Sequence, residues 1–166
     1  MAKLKEIYLA AAKREEIAAL SIATRPDCLP QEVLELLGRL NSVKPVWVEL
    51  GLQTTNPKTA RYIRRGYENE VYFDAVQRLK KAGIEVVTHI ILGLPGEDAA
   101  AMEETIRQAV AAGTDGVKFH LLHVLKGTDL ARDYSEGKFC CLTLEAYGQI
   151  LKACIRELPP SVTVHR

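Results

Sequence analysis

Val46-Trp47-Val48-Glu49-Leu50-Gly51-Leu52-Gln53 is the stretch on which the fold turns. Successive side chains of a strand point to opposite sides of its sheet. This run therefore sets Val46, Val48, Leu50 and Leu52 on one side and Trp47, Glu49, Gly51 and Gln53 on the other. Three more short runs read as strands: Ala18 to Thr24, Glu85 to Leu92 and Val117 to Val124. Their apolar side carries Leu20, Ile22, Val86, Ile90, Leu92, Val117, Phe119 and Leu121, interrupted by Thr88. The opposite side carries Ser21, Ala23, Arg25, His89, Gly93, Lys118 and His120.

Helical spacing fills the gaps, over Gln31 to Leu40 after Pro30, Asn69 to Ala82 before Gly83, and Asp98 to Ala112 before Gly113. Glycine just past a helix suits a left-handed cap. A helix from Lys3 to about Ala18 opens the chain, and one from Thr143 to Glu157 precedes Pro159-Pro160; no interdomain linker is read within the chain, and Pro159 onward is the one place where a linker could start. Strands and helices that alternate at steps of about 30 residues predict βαβ units and a parallel sheet.

A flat parallel sheet covered on both faces is apolar on both. One apolar and one polar face instead suit a curved, barrel-like sheet whose concave side holds a ligand near the C-terminal strand ends. The reading is an α/β partial TIM-type barrel of four βα units in one domain over residues 1–166. Four strands do not close a barrel, so the strand at Ala18 to Thr24 is expected at an open edge.

Composition narrows the function classes. With 22 basic and 21 acidic residues the chain carries no broad field for nucleic acid, membrane or polyanion. Its longest apolar runs are too short to span a bilayer, and its start lacks the apolar core of an export signal, so a cytoplasmic location is expected. Cys28, Cys140, Cys141 and Cys154 show neither CxxC nor CxxxCxxC spacing. No metal site is expected from them, and they read as free thiols in or near a core.

Two segments carry a family resemblance. Val48-Glu49-Leu50-Gly51-Leu52-Gln53-Thr54 followed by Arg61-Tyr62-Ile63-Arg64-Arg65-Gly66, and His89-Ile90-Ile91-Leu92-Gly93-Leu94-Pro95-Gly96-Glu97, are similar to strand ends of radical S-adenosylmethionine (radical SAM) barrels. Ala23-Thr24-Arg25-Pro26-Asp27, Lys118-Phe119-His120 and Lys126-Gly127-Thr128 extend the match. The chain most resembles the YhcC-like group, and more distantly the Elongator catalytic subunit and oxygen-independent coproporphyrinogen dehydrogenase.

The resemblance implies that the four strands are the third to sixth of a (βα)6 barrel. It implies S-adenosylmethionine and a 4Fe-4S cluster as cofactors, with the cluster's CxxxCxxC loop in an N-terminal barrel half outside this sequence. It further implies that Gln53 and Arg65 contact the methionyl part of the cofactor, with the adjacent Arg64 as the alternative to Arg65, that His89 bonds the ribose hydroxyls, and that Gly93 lets the backbone approach adenine. Ala23 stands where several relatives have Glu, and Ser21 or Arg25 is expected to substitute. Glu49, Lys118 and His120 are expected to face the substrate, with Lys118 paired to Glu49 across the lumen as the structural alternative.

The leading reading is thus the C-terminal part of an enzyme that cleaves S-adenosylmethionine to a 5′-deoxyadenosyl radical, inactive as this chain alone. A cluster-less nucleoside-binding or interaction module is the alternative, and a lyase using Lys118 as a Schiff-base amine the third. The substrate is left open between a small molecule and RNA, the latter suggested by Tyr62, Arg64, Arg65 and Tyr67.

Overall fold

Leu20–Thr24 (β1), Val46–Gln53 (β2), Glu85–Leu92 (β3) and Gly116–Leu121 (β4) pair in parallel in chain order. The computed structural model describes residues 2–165. The elements between them are Ala2–Ala12 (α1), Gln31–Asn41 (α2), Pro57–Tyr62 (α3), Asn69–Lys81 (α4), Ala99–Ala112 (α5), Asp129–Ser135 (α6) and Leu144–Arg156 (α7), with a 3-10 turn at Pro26–Cys28. A fifth strand, Thr163–His165 (β5), pairs in parallel with β4 and completes the sheet order β1-β2-β3-β4-β5.

The core lies on the predicted apolar face. Val46, Val48, Leu50 and Leu52 of β2 and Val86, Ile90 and Leu92 of β3 are at most 3% exposed. They pack with Leu36, Leu37 and Leu40 of α2, Tyr72, Val76 and Leu79 of α4, and Met102, Ile106 and Ala109 of α5. The one polar interruption is satisfied, because Thr88 bonds the Tyr72 hydroxyl at 2.6 Å and Thr114 at 2.7 Å, so its burial leaves no orphan group.

Several boundaries differ from the sequence reading. The first helix ends at Ala12 rather than near Ala18, where the Lys44 ammonium donates to the carbonyls of Arg14 and Ile17 and fixes a turn instead. Pro159 onward turns into β5, not a linker, and the four-strand count becomes five. Three residues are too short for a period-2 pattern to show. Of the cysteines only Cys154 is buried, and burial pushes its thiol up to about 11; the other three are exposed. Among the described residues no helix is long and apolar enough to cross a membrane.

Candidate functional site

Two polar regions occupy the concave side, one at the strand ends and one below it. At the C-terminal ends of the strands, Arg25, Gln53, Ile63, Arg65, Tyr67, Ile91, Leu94, Leu122 and Leu130 line an open groove of about 350 Å³. Its shape depends on a bulge. The β2–β3 register slips between Gly51 and Gln53, and Gln53 sits at φ +61°, a left-handed conformation that costs a non-glycine residue about 1–2 kcal/mol. Bulges and such strain recur where a strand re-aims a side chain at a site.

The Gln53 amide folds back so that its Oε1 lies 3.2 Å from the Tyr67 hydroxyl, whose single proton is shared between it and Gly51 O at 2.7 Å. Gly51 leaves the space for this, since a Cβ there would meet both the Gln53 amide and the Tyr67 oxygen. The Gln53 Nε2 donors have no protein partner among the described residues. Tyr67 also carries the Arg25 and Arg65 guanidinium carbons 5.2 and 4.8 Å from its ring centroid, within cation–π range.

The groove distinguishes the expected cofactor contacts. Arg25 borders it while its Nε and Nη2 bond the Asp27 carboxylate at 2.9 and 2.7 Å. Arg65 is 7% exposed, and all five of its N–H groups are engaged: Nε by Tyr67 O, Nη1 by Leu52 O and Thr54 O, Nη2 by Tyr67 O and Asn69 Oδ1. A guanidinium saturated by internal acceptors has no donor left for a carboxylate. The expected clamp is therefore corrected to a brace that fixes the chain on either side of Gln53. Burial lowers the Arg65 pKa.

Gly93 adopts φ +84°, but Leu142 occupies its open side, with Cδ1 2.9 Å from where a Cβ would stand. The close approach that glycine permits is made here by a leucine. Glu97 does not cap α5; Asp98 does, accepting from Ala101 N at 2.9 Å. Glu97 instead accepts from the Thr54 hydroxyl and ties the end of β2 to the Gly93–Glu97 turn. Burial raises its carboxyl pKa and outweighs the hydrogen bonds from Thr54 and Thr59.

About 13 Å below Gln53, four residues at 3.3 Å each, the second region crosses four strands. Glu49 Oε1 accepts from Ser21 Oγ at 2.6 Å. Its Oε2 lies 2.9 Å from Lys118 Nζ and 2.5 Å from His89 Nε2. His89 Nδ1 in turn lies 3.0 Å from His120 Nε2. Burial pushes the Glu49 carboxyl up, but hydrogen bonds from Ser21, Lys118 and His89 outweigh it and bring it to about 2.

Glu49, Lys118 and His120 thus meet in the lumen, and the Glu49–Lys118 ion pair forms. Ser21 and His89, expected at the cofactor, are drawn into this network, and neither ring nitrogen of His89 is left for a ribose. The network is a chain rather than a converging ligand set, and the described residues hold no group of three His, Cys, Asp or Glu able to bind a metal. Trp47 Nε1, also on β2, is buried without a partner among the described residues.

Sequence reasoning missed Leu142 and Leu130, which lie outside the strand pattern. Tyr67 was visible in the Arg65-Gly66-Tyr67 run, but only as a surface contact.

A parallel partial barrel with its polar groups on the lumen and at the C-terminal strand ends defines the class. The family model described as Radical SAM superfamily matches residues 1–109, and that described as Radical_SAM C-terminal domain matches residues 114–166. The chain belongs to the radical SAM superfamily. The division falls between α5 and β4, although β3 and β4 pair in one continuous sheet.

Among curated relatives, YtqA of Bacillus subtilis is 41% identical over 98% of this chain and 51% of its own length. YhcC of Escherichia coli is 38% identical over 98% and 53%, and Elongator complex protein 3 of Schizosaccharomyces pombe 30% over 89% and 27%. The chain spans about half the length of the first two. In fold it is similar to Methanocaldococcus infernus Elp3, with TM-score 0.82 and 24% identity over 98% of this chain and 38% of that one. It is likewise similar to Escherichia coli coproporphyrinogen III oxidase HemN, with TM-score 0.69 and 17% identity over 93% and 35%.

Proposed function

We propose that this chain forms one wall of the S-adenosylmethionine groove and the substrate-facing floor of a radical SAM enzyme whose 4Fe-4S cluster is held by residues outside it. The observation that carries the reading is the strained Gln53 with its unpartnered amide nitrogen, set in an apolar-walled groove at the strand ends above a polar lumen. Ligand sites combine apolar walls with a few convergent polar groups, and here Gln53 and Arg25 are those groups. The groove thus suits a cofactor with a flat nucleoside and a short charged tail.

The cysteines do not suit a cluster. Cys154 is buried, Cys140 and Cys141 are adjacent, and Cys28 stands alone, so no step is assigned to a cluster on this chain. With a cluster supplied from outside this chain, S-adenosylmethionine held by Gln53 and Arg25 would supply radical chemistry toward a substrate. The part of this chain is to orient the cofactor through Gln53, with Tyr67 and Arg65 holding that side chain and its backbone, and to present Lys118 and His120 to whatever lies below.

The test is anaerobic reconstitution of the intact protein with iron and sulfide, followed by dithionite and S-adenosylmethionine. We expect 5′-deoxyadenosine from the intact protein, none from residues 1–166 alone, and at least tenfold less when Gln53→Ala is introduced. Failure of the reconstituted intact protein to form it would overturn the proposal.

A further inference from the structure

Beneath the groove the lumen holds a wired series of proton-carrying groups. A carboxylate only accepts hydrogen bonds, and Glu49 is ionised, so the His89 nitrogen at 2.5 Å must carry the proton: His89 is the Nε2–H tautomer when neutral. Its Nδ1 is then a lone pair, so His120 Nε2, 3.0 Å away, must be the donor. That leaves the Nδ1 lone pair of His120 as the far end of the series, without a protein partner among the described residues. Lys118, two residues before His120 on the same face of β4, directs one N–H to Glu49 and keeps two more.

From this wiring we infer that Glu49, His89 and His120 form a proton relay whose lumen-facing base is Nδ1 of His120, with Lys118 placed to hold the oxyanion left behind. The inference rests on the reading of the lumen as the substrate-facing floor and adds a chemical class: a substrate that gives up the proton of an alcohol or enol O–H. The O–H bond breaks, its electron pair stays on oxygen, and an Nδ1–H bond forms on His120. The Nε2–H of His120 passes to Nδ1 of His89, so the positive charge comes to rest on His89 against the Glu49 carboxylate.

Charge is balanced throughout. At rest Glu49 and Lys118 cancel and both imidazoles are neutral; afterwards the imidazolium and the oxyanion cancel as well. His120 is the catalytic residue of the relay, and His89, Glu49 and Ser21 are positioning residues. The groups that face His120 are His89 on β3, Glu49 on β2, Lys118 on β4 and His123 just beyond it. Burial, then His89 and Lys118, hold its pKa below the ordinary value against the pull of Glu49, so the base form prevails at neutral pH.

Side-chain nitrogen NMR of histidine-labelled intact protein tests the relay directly. We expect His89 and His120 both protonated at Nε2 at neutral pH, and their nitrogens shifting together as His120 takes up a proton below pH 6.5, the ordinary histidine value. Lys118→Met should move that midpoint up, and Glu49→Gln should move it down and uncouple the two rings. His120→Gln, whose amide still donates to His89, should leave the His89 tautomer unchanged and thereby show that the lumen remains folded. A proton on His89 Nδ1 at neutral pH, before His120 has taken one up, or rings whose nitrogens do not shift together in the wild type, would overturn the relay. These signals do not depend on cofactor cleavage: loss of deoxyadenosine formation with the tautomers intact would sink the radical reading, whereas reversed tautomers with deoxyadenosine still formed would sink the relay alone.

Discussion

Glu49 shows how much of this protein's chemistry is set at a single position. It sits on the polar face of a strand whose other face is core, and it is only 11% exposed at the side chain. A carboxylate in such a place needs partners, and it has three, from β1, β3 and β4. Its folded-state carboxyl, at about 2, lies below the ordinary value near 4.3. A depressed acid contributes stability that is fully present above the unfolded value and is lost as pH falls through the folded one. The advantage of the wild type over Glu49→Gln in urea unfolding should therefore shrink by about 1–3 kcal/mol between pH 5 and pH 2, screening at the open lumen included. An advantage that stays constant across that window would mean that folding does not depress the Glu49 carboxyl at all. The alternation along β2 made Glu49 and its Lys118 partner legible in the sequence. The double engagement of His89 was not, because no periodicity says which of two ring nitrogens meets which neighbour across strands 31 and 40 residues apart in sequence.

Among the elements, β2 and β3 lie where the sequence pattern puts them, from Val46 to Gln53 and from Glu85 to Leu92, because eight-residue runs with one buried face leave little freedom of register. The short pieces were less legible for different reasons. α3 carries a readable start, with Pro57 in its first turn and the Asn56 side chain accepting from the N–H groups of Lys58 and Thr59; its six residues, however, are too few for a helical stripe. β5 has no pattern of its own and exists by pairing with Gly116, Val117 and Lys118. The bulge at the end of β2 was also hidden, since it alters dihedral angles without breaking the alternation of burial. That bulge makes a prediction about the whole turn. If the left-handed Gln53 is a strain held for function, Gln53→Gly should be more stable than Gln53→Ala by about 1 kcal/mol, the reverse of their order in a helix, while both weaken S-adenosylmethionine binding to the intact protein alike. Thermal unfolding of the pair, beside calorimetric titration of the cofactor, checks both halves. An alanine variant as stable as the glycine variant would show that the turn relaxes once the side chain is gone.

For the molecule as a whole, a consistent apolar face and the order of strands along the chain were enough to read a parallel partial barrel, and the fifth strand extends that sheet without closing it. β1 and β5 are its two edges. They are not equivalent, because β5 is three residues long whereas β1 presents five, Leu20 to Thr24, paired on one side only. Edge strands with unpaired backbone groups recruit other strands unless charge, proline or brevity blocks them, and Leu-Ser-Ile-Ala-Thr contains neither charge nor proline. Residues 1–166 studied alone should therefore self-associate through β1, with a weight-average sedimentation coefficient that rises with concentration. Placing a lysine on that strand by Ala23→Lys, at an exposed position, should weaken the association about tenfold, which corresponds to about 1.4 kcal/mol, without loss of the helical signal. A chain that sediments as a monomer at every concentration would show that β1 is covered from within, and the place to look for the cover would be α1 and the turn that Lys44 holds at Arg14 and Ile17.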